Sequence, residues 1–291
     1  MLELSQAPPY YAASPDQAVK VSSQWLEVFS QRALAERRAS ASTREAYTLD
    51  VTMLSRWAIS QDKHLLNLDA DDLTRYLSER YRSGTHPSTL ARQLSSCRSF
   101  YAFLLSQGVG THNPAESVAA PRVTPRRRRL VPDDVLGRVL RRRNPPVASA
   151  ASAFRAQRDH AIVCMLYDTP LGISEIRLLR WQQIDDQWQA VVVPGRNGVS
   201  RSVVLTARLL EALKELRRRM ASWGFDAGDT PYCFPTSTGL PMSRQALCFA
   251  VRKWAEECAP QEVMTPSALR QTGLAHQARR GRAAPTRSVG A

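Results

Sequence analysis

Residues 158–181 read RDHAIVCMLYDTPLGISEIRLLRW, and this stretch decides how the rest of the chain is read. Residues 161–167 are almost wholly apolar, the pattern of a helix buried on every side. Thr169, Pro170, Leu171 and Gly172 then interrupt the period. Proline has no amide donor, and it pushes the residue before it out of the helical region. A second, amphipathic helix is expected to follow and run toward Trp181.

Around this segment the bulk properties set limits. A length of 291 residues exceeds the usual single domain, so two domains are expected. A hydrophobic share of 43% suits packed cores and excludes a chain disordered throughout. The net charge of +14 rests mostly on arginine. It implies an anionic partner, with nucleic acid ahead of an acidic membrane surface. The 5 cysteines (Cys97, Cys164, Cys233, Cys248 and Cys258) are odd in number and scattered. None of them pairs at zinc-ligand spacing, so reduced thiols, a cytoplasmic setting, and no metal or cofactor are expected. MLELSQAPPYY lacks the basic and apolar regions of a signal peptide. The apolar run 161–167 is too short to cross a bilayer, so no membrane partner is expected.

In chain order, residues 1–18 read as a flexible arm rich in Pro and Ala. Residues 19–36 fit a helix with Val21, Trp25, Val28 and Phe29 on one face. Ser42 followed by Glu45 has the spacing of a capping box, and Ala46, Leu49, Met53, Leu54 and Trp57 follow at core spacing. A third helix is expected after Asp71 with Leu73, Tyr76 and Leu77 inward. A fourth is expected after Pro87 with Leu90, Leu94, Cys97, Tyr101 and Leu104 inward, stopped at Gly108. Residues 19–118 therefore read as an all-α helical domain whose polar faces carry Arg44, Arg92, Ser95, Ser96 and Arg98.

Residues 119–132 form a basic linker in which three prolines resist helix and Arg126, Arg127, Arg128 and Arg129 stand in a row. Such a row is either a solvated hinge or a strap along a phosphate backbone. Asp133 or Asp134 is expected to cap a helix ending near Arg141, Arg142 and Arg143. Residues 189–193 and 202–205 are β-rich runs around Pro194-Gly195-Arg196-Asn197-Gly198, which reads as a hairpin. Further helices are expected from Thr206, with Leu209, Leu210, Leu213, Leu216 and Met220 inward, and from Ser243, with Leu247, Val251 and Trp254 inward. A last one is expected from Thr265-Pro266 through Arg270 and His276. Residues 133–281 form the second domain in this reading, and 282–291 read as a disordered tail.

The chain resembles the tyrosine recombinases, the phage-integrase and Xer family. The likeness rests on Thr169, Leu171, Ser174 and Glu175 around the break, the hairpin, and Thr265-Pro266…Leu269-Arg270. In the first domain it rests on STREAY and on the Leu-x-x-x-Arg-x-Phe-Tyr-x-Phe-Leu phrase followed by Asn-Pro-Ala. The resemblance implies a mainly α fold: a SAM-like core-binding bundle, then a tyrosine-recombinase-type domain with a small antiparallel sheet, here truncated at its C-terminus. It implies duplex DNA as partner, held between two domains joined by the linker. The DNA-facing cations would be Arg44, Arg92, Arg98, Arg126, Arg127, Arg128, Arg129, Arg196 and Arg270.

The family cleaves DNA by attack of a tyrosine hydroxyl on a phosphodiester, which needs fixed cations around the phosphate and a proton donor for the leaving oxygen. By resemblance the first catalytic Arg falls on Gly172, the hairpin Lys on Arg196, the His on Ser267 and the second Arg on Arg270. No tyrosine follows Ser267 in the sequence. Tyr167 and Tyr232 read as core residues rather than substitutes. The expectation is a DNA-binding homologue, a pseudoenzyme that does not cleave alone and sits with the bacterial nucleoid. The alternatives are a subunit completing an active site in trans with an intact tyrosine recombinase, and a decayed or frameshifted copy.

Overall fold

The computed structural model describes residues 24–34, 39–124, 129–142, 149–185, 187–195, 199–222, 230–281 and the backbone of 286–289. They fall into two units, Met1–Arg126 and Arg127–Ala291, each around its own apolar core.

The first unit is helical. α1 covers residues 24–34 and contains a π turn, Phe29–Ala33. α2 is Ala41–Ser60, α3 is Ala70–Arg82 and α4 is Pro87–Ser106, with a 3-10 turn at Leu65–Asn67. Ser40, not Ser42, caps α2, accepting the Thr43 amide at 3.2 Å. The helix starts two residues earlier than the Ser42–Glu45 pair predicts, so Ser42 already lies inside the first turn. The buried stripe of α2 is Asp50, Val51, Leu54, Ser55 and Ala58, and Leu49 is 55% exposed. The prediction missed this phase because Asp50 belongs to the stripe. Its carboxylate is buried by pairing with Arg92 and with the Ser96 hydroxyl, which also takes Ser96 off the polar face.

α3 is capped by Asp69, not Asp71. Asp69 accepts the Asp72 amide at 2.8 Å, and Asp72 accepts the Asp69 amide at 3.3 Å. α4 presents Leu90, Leu94, Cys97, Tyr101 and Leu104 to the core, as their spacing predicts. Phe29 meets Phe100 edge-on at 5.3 Å, and Tyr101 donates its hydroxyl to the Leu65 carbonyl at 2.8 Å.

The second unit wraps one central helix, α6. α5 is Asp133–Arg141, α6 is Ala150–Asp168 and α7 is Ile173–Arg177. Strands β1, Ala190–Val193, and β2, Ser200–Val204, precede α8, Ala207–Ser222, α9, Arg244–Cys258, and α10, Pro266–Arg279. Residues 161–168 of α6 are buried without a break, because helices pack on every side of it. Pro132 stands at the N-cap of α5 and makes no side-chain cap bond, so Asp133 and Asp134 occupy the first turn instead of capping it. The second helix of the central stretch is shorter than predicted. After α7, Arg180 bridges to Tyr232 and a 3-10 turn, Trp181–Gln183, follows.

β1 and β2 pair antiparallel, with Val191 opposite Val203 and Val193 opposite Arg201. The expectation of a disordered tail over 282–291 is corrected in part: β3, Thr286–Val289, adds a third strand antiparallel to β2. Thr286 and Val289 are residues that suit a pleated edge, and β2 offers them an otherwise unpaired side.

Candidate nucleic-acid interface

The break between α6 and α7 is built by its own residues. Thr169 is extended, and its hydroxyl donates to the Met165 carbonyl at 2.7 Å, which closes the end of α6. Gly172 starts α7 at φ −84° and ψ 162°, a conformation open to any L residue. Its amide donates to Glu175 Oε2 at 2.7 Å. A Cβ at Gly172 would meet only that same oxygen, at 3.5 Å, an ordinary contact. The fold therefore has room for a side chain where the sequence has none.

α10 brings Arg270 to this break. Thr265 caps the helix by accepting the Ala268 amide at 3.1 Å, and Pro266 takes the first-turn position where no amide is needed. Thr272 is buried and accepts the Val131 amide at 2.9 Å. Arg270 donates Nε to the Pro170 carbonyl at 2.9 Å, and its terminal nitrogens have no protein partner among the described residues. Ser267 lies one turn earlier on the same side of α10 and is exposed.

Arg196 lies outside the described residues. Its flank is informative: a Cβ at Gly195 would fall 2.1 Å from the Val199 carbonyl oxygen, so the strands pinch together beside the turn. Arg126, Arg127 and Arg128 also lie outside the described residues. Arg129 is 74% exposed and pairs with Glu262 at 3.1 Å.

In the first unit the three expected cations separate. Arg44 has no side-chain partner among the described residues and is half-buried on α2. Arg92 is paired with Asp50 and remains 40% exposed. Arg98 is engaged inside the fold, donating Nε to the Ala115 carbonyl at 3.0 Å and Nη2 to the Val118 carbonyl at 2.8 Å. It ties the Asn-Pro-Ala segment to α4.

Three groupings escaped the sequence reading. Arg201 on β2 pairs with Glu175 of α7 at 2.5 Å. Arg208 pairs with the buried carboxylate of Asp168. Tyr167 hydrogen-bonds His276 Nδ1 at 3.0 Å, and His276 Nε2 lies 3.4 Å from Asp133. Alternation along residues 201, 203 and 205 could have flagged Arg201 as inward-facing, since Val203 and Leu205 are core residues. Burial raises the Tyr167 phenol above its ordinary value, outweighing the opposing pull of Arg280 and Arg208, so it stays protonated. Tyr232 is half-buried under the Arg180 guanidinium. All the cysteines are free, and burial pushes the Cys97 and Cys164 thiols up to about 12.

Among the described residues no group of three or more His, Cys, Asp or Glu is placed to hold a metal ion. No helix among them is long and apolar enough to cross a membrane.

Comparison with known proteins matches both units. Residues 26–108 match the phage integrase N-terminal SAM-like domain, and residues 147–289 match the phage integrase family. The chain is 28% identical over 254 residues to tyrosine recombinase XerC of Xanthomonas campestris pv. campestris (strain B100), covering 86% of this chain and 74% of that one. It is 26% identical over 218 residues to tyrosine recombinase XerD of Rhizobium meliloti (strain 1021), covering 75% of this chain and 69% of that one. In fold it is similar to XerH site-specific recombinase bound to palindromic difH substrate, with a TM-score of 0.66, 16% identity and 92% and 75% of the two chains covered. It is also similar to a lambda integrase dimer bound to a COC' core site, with a TM-score of 0.62, 14% identity and 89% and 90% covered. With its SAM-like bundle followed by a helical domain carrying a small antiparallel sheet, the chain belongs to the phage integrase family of tyrosine recombinases.

Proposed function

We propose that this chain binds duplex DNA through the recombinase scaffold and does not cleave it unaided. The observation that carries the reading is Arg270: α10 presents its guanidinium beside the helix break, with no partner for the terminal nitrogens among the described residues. A net charge of +14 supplies the long-range attraction. The solved relatives named above include recombinases bound to their DNA sites. Arg44, Arg92, Arg129 and the row Arg126, Arg127 and Arg128 would add phosphate contacts, and Arg196 would add one from the hairpin.

Cleavage is the weaker prospect because the chemistry lacks its parts. Gly172 offers no cation and Ser267 no imidazole. Losing one electrostatic contact to a transition state typically costs about two to three decades of rate. On this reading the chain works on DNA in the bacterial cytoplasm, as an accessory or competitor of an intact recombinase.

A salt-titrated mobility shift on duplex fragments carrying mobile-element ends or chromosome-dimer-resolution sites tests the binding. Selective binding that weakens steeply with salt, and more gently for Arg270→Ala, is expected. Weak binding indifferent to sequence would favour a decayed copy. A denaturing gel tests the chemistry. The chain alone should leave no covalent protein–DNA adduct, and an adduct would overturn the assignment. An adduct formed only in mixture with an intact recombinase would show completion in trans.

A further inference from the structure

We infer that Arg201 is a second phosphate-binding cation at the helix break, held in reserve on Glu175 until DNA arrives. This rests on the DNA-binding reading and extends it to a residue that reading does not use. β2 alternates its side chains, and Val203 and Leu205 point into the core. Arg201 continues that inward row, opposite Val193, and so is aimed at α7 and away from the outer face of the sheet. There its Nη2 meets Glu175 Oε1 at 2.5 Å. The other oxygen of the same carboxylate takes the Gly172 amide at 2.7 Å.

Two guanidiniums thus converge on three consecutive residues. Arg270 is anchored on the Pro170 carbonyl at 2.9 Å, and Arg201 is anchored through Glu175 to Gly172. Gly172, the position with no side chain, is part-exposed, and a Cβ there would meet only Glu175 Oε2, at 3.5 Å. The Arg201–Glu175 pair is about one-third exposed at each end. Solvent reaches both ends of the pair, so one anion can be exchanged for another without burying a lone charge. A phosphate is a good competitor, because the arginine fork accepts a carboxylate or a phosphate with the same geometry. Glu175 keeps Arg201 extended toward the break, and its negative charge opposes anion binding until the guanidinium shifts.

The test is the salt dependence of duplex binding by the full chain and by Arg201→Ala, Arg201→Lys and Glu175→Gln, each with a thermal melt. Losing one phosphate contact should lower the slope of log affinity against log salt by about 0.9. Arg201→Ala is expected to show that drop and to bind about tenfold more weakly. Arg201→Lys should regain the slope, since it keeps the charge. Glu175→Gln should bind more tightly than the unaltered chain, although it breaks the same ion pair and melts like Arg201→Ala. A slope and affinity unchanged in Arg201→Ala, or a folded Glu175→Gln variant that binds no better than the unaltered chain, would overturn the inference. If the unaltered chain fails to bind duplex at all, the DNA-binding reading falls and this inference falls with it. If the unaltered chain binds duplex and these variants fail the expected pattern, this inference falls and the DNA-binding reading stands.

Discussion

Gly273 on α10 lies so close to α6 that a Cβ on it would sit 1.9 Å from the carbonyl oxygen of Tyr167. The two helices touch backbone to backbone at that point, and only a residue without a side chain permits it. Arg270 lies one turn earlier on the same helix, so this contact sets how far the guanidinium reaches toward Pro170.

Gly273→Ala is therefore expected to push the helices apart and destabilise the second unit by about 2 kcal/mol or more. Denaturant unfolding followed by tryptophan fluorescence would measure it, and DNA affinity should fall in parallel because Arg270 is displaced. An alanine variant as stable as the parent would contradict the close approach.

Gly172→Arg is expected to behave in the opposite way. The backbone at 172 suits any residue, and the nearest obstacle is Glu175 Oε2 at 3.5 Å. Stability should stay within about 0.5 kcal/mol of the parent. A new cation at the break should steepen the salt dependence of DNA binding by about 0.9 in slope. No covalent adduct should appear from that variant alone.

Arg98 and Arg44 should separate cleanly when each is replaced by Ala. Arg98 satisfies two carbonyls, those of the buried residues Ala115 and Val118. Removing it leaves both oxygens short of a donor and should cost about 2 to 3 kcal/mol in the first unit. Arg44 has no side-chain partner among the described residues, so its replacement should leave stability within about 0.5 kcal/mol while weakening DNA binding. Thermal melts beside mobility shifts would show the two patterns.

His160 predicts a pH dependence. It is stacked on Trp254 with centroids 5.3 Å apart, and its Nε2 lies 3.3 Å from the Leu140 carbonyl. Burial holds its pKa below the ordinary 6.5, against the opposing pull of the Leu140 carbonyl. A group depressed in the fold stabilises above its unfolded pKa and loses that contribution as pH falls, because the unfolded chain takes up the proton first. Stability should therefore decline below about pH 6.5 and level off once the folded-state pKa is passed. His160→Phe should be less stable at neutral pH and should lack this component of the decline, as denaturant midpoints at pH 7.5 and 5.5 would report.

Much of the architecture is written in local sequence. The uninterrupted apolar run 161–167, the Thr169–Gly172 break and the Thr265-Pro266 cap are short-range signals, and each stands where the periodicity puts it. So do the inward rows of α4 and α9, because a 3.6-residue repeat depends only on the helix itself. The family follows from these signals, and they also put Gly172 at the break and Ser267 and Arg270 on the helix that Thr265 caps.

Other features depended on residues far apart in the chain. Asp50 is a core residue of α2 only because Arg92 and Ser96 arrive from another helix to neutralise and hydrogen-bond it. Arg98 looks like a surface cation until the Ala115 and Val118 carbonyls fold back over it. Alternation places Arg201 on the inward row of β2, but that its partner there is Glu175 is decided only by where α7 packs. The charge of a side chain is set by its own chemistry, but whether that charge faces DNA or an internal partner is set by which backbone and carboxylate groups the packed helices bring within hydrogen-bonding reach.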